Sequence, residues 1–223
     1  MSRLARVVIP GVPHFVAQRG NRDLEVFFNE GDYQTYLASL EAACVKAGTQ
    51  IWAYSLLPNR VLFILLPRGS DGLRGALAEP HRRHARRINE RLGCNGHLWQ
   101  ERFQSFPIDE SQLAACAQYI EQAPQRAELA PRANSWPWSS ARAHLAAADD
   151  RLVRVAPLLA RHPDWVGLLA TRPSRVLLET VRRHARSGRP MGPPEFVAEM
   201  ERRTGRKLAP GKRGRPRKVQ VDA

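Results

Sequence analysis

Tyr54-Ser55-Leu56-Leu57-Pro58-Asn59-Arg60-Val61-Leu62-Phe63-Ile64-Leu65-Leu66 carries two short apolar runs on either side of a Pro-Asn pair. That pair favours a turn. The second run, Val61 to Leu66, is rich in branched and aromatic side chains and is bounded by Pro67-Arg68-Gly69. This is the pattern of a strand buried on both faces. The first run extends back to Thr49, so the two runs form an antiparallel hairpin. A single cation, Arg60, stands at the mouth of the second strand, and strand alternation puts it on the face of Leu62. The residues on that face decide whether the chain performs chemistry.

Upstream, His14 to Arg19 alternates as a half-buried strand and stops at Gly20-Asn21. Glu30 or Asp32 is placed to cap a helix running to about Ala47. Its Tyr33, Tyr36, Leu37, Leu40, Ala43 and Cys44 keep the helical period, and Gly48 ends it. Downstream, a second helix is expected from Leu73 to about Leu92, interrupted or kinked near Pro80. His97 to Ile108 reads as a fourth, bulged strand, and Asp109 as the N-cap of a third helix to about Gln122. The order strand-helix-strand-strand-helix-strand-helix predicts an α+β fold: a ferredoxin-like, four-stranded antiparallel sheet with one extra helix. Trp136-Pro137-Trp138-Ser139-Ser140 closes this core, with the tryptophans anchoring the chain's return.

Beyond it the texture changes. Short helices are expected between Leu152 and Ala170, broken at Pro157 and Pro163, followed by amphipathic helices at Arg175–Arg186 and Pro194–Arg203. The division is a domain over 1–145, a helical C-terminal extension over 146–205, and a basic tail over 206–223. The tail is expected to be disordered, because Pro210 to Lys218 has no apolar side chain to bury.

The chain has 223 residues, 43% of them hydrophobic, and a formal charge of +14 that is unevenly spread. Residues 1–171 hold 20 Lys and Arg against 16 Asp and Glu; residues 172–223 hold 15 against 5. Such asymmetry points to a polyanionic partner, nucleic acid before an anionic membrane. Cys44, Cys94 and Cys116 are odd in number and lack zinc-like spacing, which fits reduced thiols in a cytoplasmic protein. No window approaches the ~20 apolar residues of a membrane span.

Three features carry chemistry. In His81-Arg82-Arg83-His84-Ala85-Arg86-Arg87-Ile88-Asn89-Glu90-Arg91, helical spacing stacks Arg82 on Arg86 and Arg83 on Arg87, with only Glu90 as counter-charge inside the run. A ridge of guanidinium forks suits phosphate oxygens, whereas the same row elsewhere is merely a solvated helix face. Lys212-Arg213-Gly214-Arg215-Pro216-Arg217-Lys218 resembles an AT-hook, a slim chain whose arginines enter the ~6 Å minor groove of A·T-rich DNA. A generic basic tail has the same composition. Tyr119, in Gln118-Tyr119-Ile120-Glu121-Gln122-Ala123, is by default a core or rim residue of its helix.

Taken together, Pro10-Gly11-Val12-Pro13-His14, Gln18-Arg19-Gly20-Asn21, Trp52-Ala53-Tyr54, Leu57-Pro58-Asn59, His81-Arg82-Arg83, Gly96-His97-Leu98-Trp99-Gln100, Arg102-Phe103, Tyr119-Ile120-Glu121 and Trp136-Pro137-Trp138-Ser139-Ser140 resemble the REP-associated tyrosine transposases, a branch of the bacterial single-tyrosine HUH transposases. The resemblance covers roughly the whole chain. It implies the ferredoxin-like sheet already inferred, a nucleoid-associated protein, and cleavage and rejoining of single-stranded DNA at a hairpin. It also implies a tyrosine nucleophile that forms a 5′-phosphotyrosine, and a divalent ion, Mg²⁺ or Mn²⁺. In that family the ion is held by a His-x-His after the Pro-Asn pair and by a polar residue one turn beyond the tyrosine.

Here those three positions are Arg60, Leu62 and Ala123. Arginine repels a cation, and leucine and alanine offer no lone pair, so no cofactor is expected. Tyr119 is left as a vestigial nucleophile. Without a metal to polarise the phosphate, several kcal/mol of transition-state stabilisation are missing, at roughly 1.4 kcal/mol per tenfold in rate. The sequence therefore predicts a catalytically degenerate, transposase-like protein that binds hairpin or single-stranded DNA through Arg60, Arg82, Arg83, Arg86 and Arg87. Arg213, Arg215 and Arg217 of the tail are added for A·T-rich duplex. The alternative is a working strand transferase acting through Tyr119.

Overall fold

The structure, a computed structural model, describes residues 6–210. Arg213, Arg215 and Arg217 lie outside the described residues, as does most of the expected tail. Four strands, β1 (His14–Arg19), β2 (Thr49–Leu57), β3 (Arg60–Pro67) and β4 (Gln104–Pro107), form one antiparallel sheet in the order β2-β3-β1-β4. That is the ferredoxin-like order. The helices are α1 (Glu30–Ala47), α2 (Gly72–Leu92), α3 (Leu113–Glu121), α4 (Ala123–Arg126), α5 (Ala141–Leu145), α6 (Ala156–Leu159), α7 (Trp165–Ala170), α8 (Arg175–Ser187) and α9 (Pro194–Thr204).

β3 is central and buried on both faces, as its continuous apolar run requires. Val61, Phe63 and Leu65 join a core with α1 and α2 through Leu40, Leu73 and Leu77. Leu62 and Ile64 join a second core on the opposite face, with Phe15, Phe106, Leu113, Cys116 and Ile120. That second core takes in Val181 and Ala185 of α8 and Trp165 of α7, so the C-terminal helices cover the face carrying α3. A third, small cluster clasps the two ends of the chain: Val7, Ile9 and Val12 pack against Met200 and Leu208.

Several local expectations are corrected. The N-cap of α1 is Asn29, whose side chain accepts from the Asp32 amide at 3.1 Å, and not Glu30 or Asp32. Asp32 is used elsewhere, as described below. α2 runs unbroken through Pro80, which is buried in the helix. Pro157 opens α6 instead of breaking it, since proline is tolerated in a first helical turn. The fourth strand is much shorter than His97–Ile108: Trp99 makes one isolated bridge to Gly20, and pairing resumes only at Gln104. Between them Glu101 adopts a left-handed backbone, φ +53°, and Phe103 is turned into the first core under the Arg6 guanidinium, 3.5 Å from its ring centre. Asp109 caps a short 3₁₀ turn that leads into α3.

The motif tryptophans do anchor the return. Trp136 Nε1 donates to the Leu56 carbonyl at 2.8 Å, and Trp138 stacks on Tyr33 at 4.8 Å.

Candidate nucleic-acid interface

The Pro58-Asn59 turn is held rigidly. The Pro58 carbonyl accepts from the amides of Val26 and Phe27 at 2.7 and 3.0 Å, and the Asn59 carbonyl accepts from Gly20 at 2.8 Å. Gly20 has to be glycine, because a Cβ there would lie 2.0 Å from the Leu24 carbonyl oxygen. Locking the turn fixes where β3 begins, and so fixes Arg60. Directly across the ladder from Arg60 is Arg19. Like charges facing one another on a sheet are unfavourable by roughly 0.2–1 kcal/mol.

Arg60 and Leu62 line a cleft of about 370 Å³ together with Tyr119, Phe15, Arg19 and Arg182. Gln100, Glu101 and Arg102 of the loop before β4 form one wall, and Val181, Ala185 and Arg186 of α8 another. Tyr119 meets Phe15 edge-on at 5.8 Å. Seven residues on, at the end of α4, Arg126 lays its guanidinium over the Tyr119 ring at 4.6 Å and donates to the Tyr119 carbonyl.

Arg126 is half-buried, and its Nη1 is fully buried with no hydrogen-bond partner; the same is true of Arg60 Nε. No carboxylate lies within 4 Å of Arg60, Arg126 or Arg182 among the described residues. Burial, helped by repulsion from Arg60 and Arg182, pushes the Arg126 pKa down to about 10. An unmet buried donor costs about 1–3 kcal/mol, and more when it is charged.

Sequence reasoning missed Arg126 and Arg182. For the first the one signal was its nearness in sequence to the Tyr119 motif. For the second there was none, because docking of α8 on the sheet is a tertiary fact. Ala123, expected on the face of Tyr119, does not join the cleft. α3 ends at Glu121, and Ala123 opens α4 from within the second core.

Glu121, next but one to Tyr119, is wholly buried and serves as a hub. It accepts from Ser140 Oγ and His144 at 2.6 Å each and from Trp165 Nε1 at 2.9 Å, tying α3 to α5 and α7. Gln118 and Gln122 donate to the carbonyls of Leu168, Leu169 and Thr171, satisfying the open end of α7. The Tyr119-Ile120-Glu121 and Ser139-Ser140 motifs thus hold the tyrosine helix in place.

The arginine ridge lies on α2, against the opposite sheet face from Tyr119. The expectation that Glu90 is its only counter-charge fails, because Glu79 and Asp32, outside the run, add carboxylates. Arg82 and Arg83 pair with Glu79, Arg86 pairs with Glu90 at 2.7 Å, and Arg87 and Arg91 reach Asp32 of α1. Arg82, Arg83 and Arg86 are well exposed, and exposed ion pairs are worth only about 0–1 kcal/mol, so phosphates compete for them readily. Ridge and cleft are linked by a second groove of about 350 Å³, lined by Arg74, Arg82, Gln18, Glu101 and Arg102, which shares the last three residues with the cleft.

The donor set at Arg60, Leu62 and Ala123 does not fit a divalent ion: one position is a cation and two are hydrocarbon. Among the described residues no three His, Cys, Asp or Glu side chains converge as a ligand group. No helix among them is long and apolar enough to cross a membrane.

An antiparallel ferredoxin-like sheet with a tyrosine-bearing helix across one face defines the class of fold. No family model matches the sequence, and no curated protein does. Among solved structures, the chain is similar to a REP-associated tyrosine transposase bound to a REP hairpin. The TM-score is 0.53 at 21% identity, over 69% of this chain and 92% of that one. The two proteins share a fold. A candidate transposase from Deinococcus radiodurans R1 overlaps more loosely, with a TM-score of 0.38 at 17% identity over 54% of this chain and 97% of that one.

Proposed function

We propose that this chain is a DNA-binding member of the REP-associated tyrosine transposase family, catalytically degenerate, which takes hairpin or single-stranded DNA. The observation that carries the reading is the cleft at Tyr119, where Arg60 and Leu62 stand at the family's metal-ligand positions and Arg60 and Arg182 line the wall with no carboxylate within 4 Å among the described residues. The fold neighbour's REP hairpin supports DNA as the partner.

DNA would run from the ridge at Arg82, Arg83, Arg86 and Arg87, through the groove at Arg74 and Arg102, into the cleft at Arg60. Along this track guanidiniums meet phosphates and release counterions. The binding assay uses labelled hairpin and single-stranded oligonucleotides over a salt series. The full chain should bind them more tightly than a variant with the four ridge arginines changed to glutamine. On single strands, the salt slope should fall by about 0.7 for every phosphate that the variant leaves unneutralised. Equal affinity and equal slope would remove the ridge from the interface and the reading with it.

A second reading, a strand transferase, is favoured by the Tyr119 phenol lining the same cleft. The phenol oxygen would bond to phosphorus, the bond to the 3′ oxygen would break, and the phenol proton would pass to that oxygen. This reading requires a covalent protein–DNA adduct, with or without Mg²⁺ or Mn²⁺, that disappears in Tyr119→Phe.

A further inference from the structure

Three guanidiniums from three separate parts of the chain gather at or beside the cleft. Arg60 comes from the start of β3, Arg126 from α4 and Arg182 from α8. Arg60 and Arg182 line the cleft with Tyr119, and Arg126 lies flat on the Tyr119 ring. Two of the three hold a buried N–H that bonds to nothing, at Arg60 Nε and Arg126 Nη1. Forks of this kind are matched by a tetrahedral oxyanion, which offers several acceptor oxygens to donors arriving from different directions.

We propose that Arg60, Arg126 and Arg182 form a metal-independent seat for one DNA backbone phosphate, with Tyr119 retained as the aromatic platform that holds Arg126 in place and α8 supplying an essential part of the site. This rests on the DNA-binding reading above and extends it. A guanidinium trio attracts the anion directly and repels a divalent cation, so Mg²⁺ has no role in the grip. Because Arg182 belongs to the C-terminal helices, this part of the extension completes the binding site and is not an appendage. As a positioning residue Tyr119 needs its ring and not its hydroxyl, since the face of a phenyl ring attracts a guanidinium as the face of a phenol does.

The test uses the full chain in EDTA. Anisotropy with a labelled single-stranded oligonucleotide should show at least fivefold weaker binding for Arg60→Gln, Arg126→Gln and Arg182→Gln, each with a lower salt slope. Tyr119→Ala should bind like Arg126→Gln, and the conservative Tyr119→Phe should restore the affinity that Tyr119→Ala loses. Arg182 is exposed on α8, so its variant keeps the test valid if a cleft variant misfolds. In parallel, inorganic phosphate at matched ionic strength should raise the melting temperature of wild type but not of Arg126→Gln or Arg182→Gln.

Tight DNA binding that none of the three glutamine variants weakens would overturn the seat while leaving the DNA reading standing. So would an obligatory Mg²⁺ requirement. Arginine-dependent stabilisation by phosphate without DNA binding would support the anion seat and discard DNA as its ligand.

Discussion

The two faces of the sheet treat arginine in opposite ways. On the α1–α2 face every arginine of the ridge has a carboxylate: Glu79, Glu90 or the buried Asp32. On the α3–α8 face Arg60, Arg126 and Arg182 have none among the described residues, and two of them hide an unsatisfied N–H. The partnered charges belong to the folded chain. At Arg60 and Arg126 the unmet N–H is a cost to the free protein that the proposed phosphate would offset. Separating the two kinds of arginine comes down to asking which substitutions harm the fold and which harm binding.

The largest effect is expected on the partnered face. Asp32 is fully buried, accepts from the Phe28 amide at 2.9 Å, and is forked by Arg91 at 2.7 and 2.9 Å. Burial pushes its carboxyl up, but the Arg91 and Phe28 hydrogen bonds outweigh this and hold its pKa below the ordinary value. Asp32→Ala removes the acceptor of the Phe28 amide and of Arg91 and frees the start of α1, and should destabilise the fold by about 3 kcal/mol in urea unfolding. Oligonucleotide affinity per folded molecule should hold or rise, since ridge arginines are released. A fall in affinity would mean that the partnered charges are not merely structural.

Much of this contrast was legible in the sequence, and the illegible part has a physical reason. The hairpin around Pro58-Asn59, the helical stripe ending at Gly48 and the strand His14–Arg19 all carry period and turn signals, which are local. Asn29 lost the capping assignment to its neighbours because sequence spacing cannot say which of several adjacent polar side chains will point back at the helix. Pro80 suggested a break that packing overrode, as Pro80 lies within the buried stripe of α2. At the site, Arg60 and Leu62 were identifiable by register and Tyr119 by motif. Asp32 as the partner of Arg91, 59 residues away, and α8 as a wall of the cleft are products of tertiary docking. No local period encodes them.

Acid separates the faces next. His14 is fully buried, accepts from the Ile9 amide at 3.3 Å through Nε2 and donates to the Val12 carbonyl at 2.7 Å through Nδ1. Burial pushes its pKa down to about 4, the Val12 hydrogen bond opposing and Arg203 assisting. The ring is therefore neutral in the fold while the unfolded chain takes up a proton below about pH 6.5. Stability from this residue is intact above pH 6.5 and declines as pH falls to about 4, by about 3 kcal/mol in total. Guanidinium groups do not titrate over that window. Urea midpoints should thus fall between pH 6.5 and 4, and oligonucleotide affinity of the remaining folded fraction should not. A His14→Gln variant with the same acid slope would assign the loss to other groups.

The smallest effect has the opposite sign. Replacing Arg126 by methionine keeps the volume along the Tyr119 ring and removes the buried, uncompensated guanidinium. The substitution also gives up the cation–π interaction, about 0.5–1 kcal/mol, and the hydrogen bond to the Tyr119 carbonyl, of similar worth. Relief of the desolvated charge outweighs both, because Arg60 and Arg182 also repel it. The free protein should gain about 1 kcal/mol while its affinity for single-stranded DNA falls. Gain and loss from one substitution are what a residue selected for a ligand must show. A variant that is both less stable and unchanged in binding would put Arg126 with the ridge, among the arginines that hold the fold.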